Sequence, residues 1–289
     1  MNKKPKQVGL IGWPIEHSLS PAMHNAAFAE LGLDWTYVLV PVQSGQHAPA
    51  LKELLAQNFV GVNVTMPHKR AVIPHMDELS EAARLIGAVN TIHIQDDKFY
   101  GDNTDAIGFL NALKEAGHDP KGMHVAMLGA GGTARAALFS LLRAGVDKVT
   151  VINRTVERAA ALVDDLAKNF STASLSFEPL NSETLAALDG QVDLVVNSTS
   201  IGMHPQSDAS PWPAEVAIPA GAIIYDVIYS PDQTLFLRRA QEAGQKTLNG
   251  LGMLVHQGVA AFELWTGRQA PLAIMRQACL KELGLNKEF

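Results

Sequence analysis

Gly129-Ala130-Gly131-Gly132-Thr133-Ala134 lies between a β-rich run, His124–Leu128, and a helical pattern, Thr133–Ala144. Gly129 permits a tight turn, Gly131 lets backbone approach a pyrophosphate, and Ala134, in the third glycine position, allows the helix to pack closely on the strand. An anion over that helix start would meet free N–H groups and the positive end of the helix dipole. Glycines also end strands for purely structural reasons. The strand before, the helix after and a second βα unit at the right distance favour the dinucleotide reading. The next strand, Lys148–Ile152, runs into Asn153-Arg154-Thr155, with Arg158 one turn later. NAD sites place Asp or Glu there for the ribose 2′-hydroxyl. Here Arg154 and Arg158 could grip a 2′-phosphate through charge-assisted hydrogen bonds. Thr155 adds a hydroxyl and could also cap the following helix. An ordinary solvated helix start is the alternative. With no acid to repel a phosphate, NADP(H) is the expected cofactor.

Four polar clusters interrupt an otherwise apolar first third. In His17-Ser18-Leu19-Ser20-Pro21, Ser20 before Pro21 reads as an N-cap followed by the first helical residue. That leaves Ser18 unexplained, and two hydroxyls at a helix N-terminus would suit a carboxylate. In Gly61-Val-Asn63-Val-Thr65-Met-Pro67-His-Lys69 a strand ends in a threonine and a proline turn presents Lys69. Such a lysine is either a solvated surface charge or a proton donor. In Gly87-Ala-Val-Asn90-Thr91 the polar side chains must find partners, which either backbone or a ligand could supply. In Gly101-Asp102-Asn103-Thr104-Asp105 the first polar residues suit a turn and a helix cap. Asp105, in the first helical turn, would keep a nearby Lys69 oriented.

These residues need elements to hold them. Strands are expected at Val8–Trp13, Thr36–Val42 and Val60–Thr65, with helices at Pro21–Leu31 and His47–Gln57. Asn90–Gln95 and Lys98–Gly101 form a hairpin around Asp96 and Asp97. After the glycine turn come a helix at Val156–Lys168 and strands at Asp193–Asn197 and Ala222–Ile228. The proline-rich stretch Gly202–Pro219 is a loop. Two closing helices, Met253–Trp265 and Leu272–Leu285, break at Gly267 and lack a strand of their own, so they must pack back on the first domain. The expected class is α/β: an N-terminal α/β domain, a Rossmann-type doubly wound domain and C-terminal helices that return to the first.

At 289 residues and 47% hydrophobic content, the chain can fill two cores. A net charge of −6 gives no basic face for nucleic acid. Lys3, Lys4 and Lys6 read as a solubilising terminus. The run from Val8 to Ile15 is too short and interrupted for a signal peptide core, and no later stretch reaches the length of a membrane span. The single cysteine, Cys279, rules out an internal disulfide and reads as a small apolar filler. The cytoplasm is the expected compartment. No metal is expected, because His17, His24, His68 and His75 fall on different elements and read as surface or packing residues.

The four clusters, in this order and followed by GAGGTARA and NRT, resemble the shikimate/quinate dehydrogenase family. Asn197-Ser-Thr-Ser-Ile-Gly202, Tyr225-Asp226-Val227-Ile228-Tyr229 and Gly250-Leu-Gly252-Met253-Leu-Val-His-Gln257 match as well. The resemblance covers essentially the whole chain. It implies a substrate-binding catalytic domain from residues 1–105 plus 250–289 and an NADP-binding domain from 106–249. It also implies NADPH-dependent, reversible reduction of 3-dehydroshikimate to shikimate, a step toward chorismate and aromatic amino acids.

By the same resemblance Ser18, Ser20 and Tyr229 would hold the substrate carboxylate. Thr65, Asn90, Asp105 and Gln257 would hold the ring hydroxyls, and Lys69, paired with Asp105, would be the acid/base group. Gly129, Ala130, Gly131, Gly132 and Thr133 would hold the pyrophosphate, and Asn153, Arg154, Thr155 and Arg158 the adenosine phosphate. Glu81, Val227 and Gly250 would line the cofactor cleft. The expected partners are small molecules, and monomer and homodimer are both compatible with the sequence. Competing readings are a quinate/shikimate dehydrogenase of broader cofactor use, a non-catalytic ligand-binding relative and a folate-linked dehydrogenase of similar design. Arg154 speaks against NAD preference, the intact Lys69 and Asp105 against a non-catalytic relative, and the serines against folate.

Overall fold

The computed structural model describes residues 5–285. The chain forms two compact units: one runs up to Gly108 and resumes at Val255, and the other is Phe109–Leu254.

In the first unit, β1 (Lys6–Gly12), α1 (Ser20–Glu30), β2 (Trp35–Pro41), α2 (His47–Ala56) and β3 (Phe59–Val64) alternate as the apolar pattern requires. A short 3-10 turn at Ile73–His75 leads to β4 (Glu78–Leu79), α3 (Glu81–Ile86), β5 (Thr91–Gln95), β6 (Lys98–Asp102) and the first turn of α4 (Asp105–Glu115), whose residues from Phe109 on belong to the second unit. The six-stranded sheet has the order β2-β1-β3-β5-β6-β4. β1 runs parallel to β2 and β3, while β5 is antiparallel to both β3 and β6. The β5–β6 hairpin turns on Asp96 and Asp97, both at positive φ (50° and 60°), the geometry that suits the strand twist in a two-residue turn. Because β5 is antiparallel, its start lies at the same sheet end as the ends of β3 and β6. Asn90, expected inside the strand, falls just before it: Val64 N–H donates to its carbonyl and its own N–H donates to that of Asp102.

α3 escaped the periodicity reading because six residues make under two turns. Its ends are nonetheless encoded, by the Ser80 side chain accepting from the Ala83 N–H and by Gly87 in the left-handed region (φ 69°).

The second unit contains β7 (His124–Leu128), α5 (Gly132–Ala144), β8 (Lys148–Asn153), α6 (Val156–Ala167), β9 (Ser174–Pro179), α7 (Ser182–Ala186), β10 (Leu194–Asn197), β11 (Ile223–Asp226), α8 (Leu235–Glu242) and β12 (Thr247–Leu248). Its sheet is parallel throughout, in the order β12-β11-β10-β7-β8-β9. The strand order therefore reverses between β7 and β10, the doubly wound topology. Both faces are covered: along β7, Val125 and Met127 join one apolar cluster, and Ala126 and Leu128 the opposite one. The loop expected over Gly202–Pro219 is anchored rather than loose. Trp212 is buried within it, and Arg239 donates to the Trp212, Pro213 and Ala214 carbonyls.

The closing helices are α9 (Leu251–Thr266) and α10 (Leu272–Glu282). α10 packs along α1. A Cβ on Gly258 of α9 would press on Met23, and Trp265 donates its indole N–H to the Ile92 carbonyl at 3.0 Å. Cys279 is buried in α10, where desolvation pushes its thiol up to about 12, as fits a packing residue. Lys3 and Lys4 lie outside the described residues. Among the described residues, no helix is long and apolar enough to cross a membrane.

His24 of α1 is fully buried and stacks on Tyr37 (ring centroids 4.5 Å apart, 9° between planes), and neither ring nitrogen has a hydrogen-bond partner. Burial lowers its pKa from 6.5 to about 3, so the folded protein keeps it neutral while the unfolded chain protonates it. Stability is therefore full above pH 6.5 and falls by about 1.4 kcal/mol per unit below it. Relative to wild type, His24→Leu is expected to gain about 2 kcal/mol of unfolding free energy between pH 6.5 and pH 5. Urea titrations that show parallel pH profiles for the two proteins would contradict this.

Candidate active site

The polar clusters of the first unit converge where β1, β3 and β6 end and β5 begins. After β3, His68 N–H donates to the Thr65 carbonyl and Val89 N–H to that of Lys69, which ties the lysine-bearing turn to the segment before β5. Lys69 Nζ then reaches Asp105 Oδ2 at 2.6 Å. Asp105 is the first residue of α4 and is 6% exposed. Its N–H donates to Asn103 Oδ1, and Gly108 N–H to the Thr104 carbonyl begins the helical ladder. A buried carboxylate at a helix start is favoured by the dipole but still needs donors. Lys69 supplies one, and Asn90 Nδ2 supplies the other to Oδ1 at 2.8 Å.

Asn90 is itself held on both sides. Its second amide hydrogen goes to Thr104 Oγ1 at 3.0 Å, while its oxygen accepts from the Thr104 N–H at 2.7 Å. Asn90 and Thr91 thus find partners mainly among protein side chains, a source beyond the backbone or ligand expected for them. Asn63, Thr91 and Thr104 belong to the same network, and sequence reasoning gave them no role in it. The one signal was the presence of polar residues in buried strand positions.

At the start of α1, the expected cap is displaced. The N-cap residue is Leu19, Ser20 lies inside the helix, and no side chain caps it. Instead the Ser20 N–H donates to Ser18 Oγ at 3.2 Å. The helix begins one residue earlier than the Ser-Pro spacing suggested, because Pro21 is tolerated anywhere in the first turn, where its missing N–H has no partner to lose. Both hydroxyls therefore stand at the helix entrance, Ser20 buried and Ser18 half-buried. Thr65 is half-buried, and Gln257 is buried on α9 in this same unit. Glu81 opens α3 on the surface.

In the second unit, the turn after β7 has Gly129 at φ +107°, where a Cβ would also strike Ser198 Oγ. Gly131 ends the turn as the N-cap of α5. A Cβ there would meet no protein atom within 4 Å, so packing does not require a glycine at that position. Ala134 is fully buried against the sheet, as close helix–strand packing demands. At the end of β8, Arg154, Thr155 and Arg158 are exposed, and neither arginine is paired with a carboxylate among the described residues. Thr155 occupies the N-cap position of α6 without a side-chain cap bond, a correction to its expected second role. Asn153 Nδ2 donates to the Thr155 carbonyl instead. Two guanidinium groups beside a glycine turn at a topological switch point fit a dinucleotide that carries a 2′-phosphate.

The loops after β10 and β11 are joined by Asp226, which is fully buried. Its carboxylate accepts from Asn197 Nδ2 (3.0 Å), the Ile228 N–H (3.1 Å) and Thr234 Oγ1 (2.8 Å). Val227 and Gly250 abut behind it, since a Cβ on Gly250 would run into the Val227 carbonyl. Tyr229 follows, half-buried, in this second unit.

Comparison with known proteins agrees with this geometry. Residues 10–92 match the family described as "Shikimate dehydrogenase substrate binding domain", 111–204 "Shikimate / quinate 5-dehydrogenase", and 250–280 "Shikimate 5'-dehydrogenase C-terminal domain". The "Shikimate dehydrogenase (NADP(+))" of Desulforamulus reducens is 46% identical over 98% of this chain and 97% of that protein. The chain belongs to the shikimate/quinate 5-dehydrogenase family. Among solved structures, a shikimate dehydrogenase in complex with NADP+ superposes with a TM-score of 0.89 at 39% identity, covering 98% of this chain and 97% of the other. The enzyme of Thermus thermophilus in complex with NADP(H) and shikimate gives 0.86 at 40% identity, covering 96% and 100%.

Burial pushes the Asp226 carboxyl up to about 6 against the pull of its three hydrogen bonds. The folded state thus holds this proton more tightly than the unfolded chain does. Its contribution to stability is full below the ordinary value of 3.8 and declines as pH rises through about 6. Asp226→Asn lacks this cost. Its unfolding free energy relative to wild type is expected to rise by about 3 kcal/mol from pH 3.5 to pH 7. A difference that does not vary with pH would remove the carboxylate's ionisation from the account.

Proposed function

We propose that this chain is an NADP-dependent shikimate dehydrogenase that reversibly reduces 3-dehydroshikimate to shikimate. The observation that carries the reading is the Lys69–Asp105 pair at 2.6 Å, held from behind by Asn90. Residues 1–105 with 250–289 form the substrate-binding catalytic domain, and 106–249 the NADP-binding domain. The enzyme works in the cytoplasm on two small-molecule partners. Its chemistry needs only one chain, so monomer and homodimer would both serve.

Ser18 and Ser20, with Tyr229, hold the substrate carboxylate. Thr65, Asn90, Asp105 and Gln257 hold the ring hydroxyls. Gly129–Thr133 and the α5 N-terminus hold the pyrophosphate; Asn153, Arg154, Thr155 and Arg158 grip the adenosine phosphate; and Glu81, Val227 and Gly250 line the cofactor cleft. Bound NADPH supplies the hydride that reduces the ring ketone. Lys69 donates a hydrogen bond to the carbonyl oxygen, stabilises the charge that develops there and delivers the proton. Asp105 keeps the ammonium aimed, and in the oxidative direction Lys69 takes the proton back. The arginines at the end of β8 set the choice of NADP over NAD.

Lys69→Ala is expected to lower turnover about a thousandfold, the range of a lost general acid, while NADPH titration of the variant gives a nearly unchanged affinity. Wild-type turnover in the variant would remove Lys69 from the chemistry. Arg154→Ala is expected to raise the Michaelis constant for NADPH by about tenfold or more, roughly the loss of one charge-assisted contact, with little change for NADH. Equal changes for the two cofactors, measured with shikimate-type and quinate-type substrates alike, would undo the phosphate assignment.

A further inference from the structure

We propose that Tyr37 is a positioning residue for the Lys69–Asp105 pair, acting through a buried chain of side-chain hydrogen bonds. The inference rests on the acid/base reading of that pair. Tyr37 lies on β2, two strands away from β3 in the sheet order, and is 2% exposed. Its phenol O–H donates to Asn63 Oδ1 at 2.9 Å. Asn63 Nδ2 donates in turn to Thr91 Oγ1 at 3.0 Å and to the Asn90 carbonyl at 3.3 Å. Thr91 Oγ1 donates to Asn90 Oδ1 at 3.0 Å and contacts Thr104 Oγ1 at the same distance. Asn90 Nδ2 donates to Asp105 Oδ1, and Asp105 Oδ2 accepts from Lys69.

Every donor in this chain points the same way, from the phenol toward the carboxylate. Such an arrangement is mutually polarising, so each link strengthens its neighbours. The amide groups set the direction. An asparagine side chain can turn over, exchanging its oxygen and nitrogen, unless a partner of fixed character stands on one side. For Asn63, 4% exposed, the Asn90 carbonyl is that partner: it can only accept, so Nδ2 faces it and Thr91, and Oδ1 is left facing the phenol, which supplies its hydrogen. Thr91, receiving a hydrogen from Asn63, has its own to give to Asn90, whose oxygen also accepts from the Thr104 N–H and whose amide faces Asp105. Without the phenol hydrogen, Asn63 Oδ1 is left buried and unmatched, a cost that falls on the side chain supporting Thr91 and Asn90 from behind.

Burial pushes the Tyr37 phenol far above the usual tyrosine range, so it keeps the hydrogen that it gives to Asn63. Its ring is kept in place independently by stacking on His24 and by the Asn25 side chain, which bonds both the N–H and the carbonyl of Tyr37. Tyr37→Phe removes the hydroxyl from a side chain whose position is otherwise fixed.

In Tyr37→Phe, kcat with NADPH and 3-dehydroshikimate is expected to fall about tenfold, near the worth of one buried hydrogen bond. The pH dependence of kcat is expected to shift, while the Michaelis constants stay within about twofold. In an Asp105→Asn background the same substitution is expected to cause no further loss of the residual turnover, because the two residues act in one chain. If Tyr37→Phe does not fold, Thr91→Val, which interrupts the chain at its midpoint, is expected to give the same pattern. An unchanged kcat and pH profile, or a tenfold loss that persists in the Asp105→Asn background, would overturn the proposal. If Lys69→Ala remains inactive in that case, the acid/base reading stands and only the role of Tyr37 falls. An active Lys69→Ala would instead remove the reading on which the proposal rests.

Discussion

A carboxylate that is 6% exposed must be matched by donors on both oxygens, and the first unit is arranged around meeting that demand at Asp105. The demand explains why a lysine from the turn after β3, an asparagine from the start of β5 and threonines from β5 and the α4 entrance meet at one end of the sheet. It also explains the antiparallel placement of β5 in an otherwise parallel neighbourhood. Only with that direction does Asn90 arrive at the sheet end where β3 and β6 deliver Lys69 and Asp105. A buried ion pair is not in itself a source of stability, since desolvation of both charges opposes their attraction. What it provides here is an ammonium held in one direction, which is what proton transfer to a single oxygen requires.

The second unit solves a different problem, the gathering of an anion, with different means. Parallel strands put the starts of helices at the same sheet edge, and the reversal of strand order at β7 and β10 separates neighbouring crossovers. The N–H groups at the start of α5 and the exposed guanidinium groups of Arg154 and Arg158 are the positive groups on which the proposed phosphate contacts rest. The buried Asp226 connects the loops after β10 and β11 to the cap of α8. It does so at the cost of an ionised group in a poorly solvated place, a pattern expected where backbone placement matters more than stability.

Long, periodic elements were legible from the chain: most strand and helix assignments agree with the structure to within two residues, and the glycine turn and hairpin lie where turn chemistry puts them. Elements without a full period were not. α3 and α7 are too short to show a helical stripe, and β9 is an edge strand whose residues are largely exposed, so its alternation carries little apolar signal. Ser20 was misplaced by one residue because a serine before a proline has the same spacing whether it caps the helix or begins it. Of the site, Lys69, Asp105 and Asn90 stood out as polar residues against an apolar background. Tyr37 did not. A tyrosine on a strand is ordinary, and its bond to Asn63 joins residues 26 positions apart on strands that are not adjacent.

The account stands or falls on where the Lys69 ammonium is when substrate is bound. A crystal structure with NADP+ and shikimate measures this directly. It should show Nζ within about 3 Å of the ring oxygen that becomes the carbonyl, with Asp105 still accepting from both Lys69 and Asn90. A complex in which Lys69 turns to solvent, or in which another donor contacts that oxygen, would contradict it.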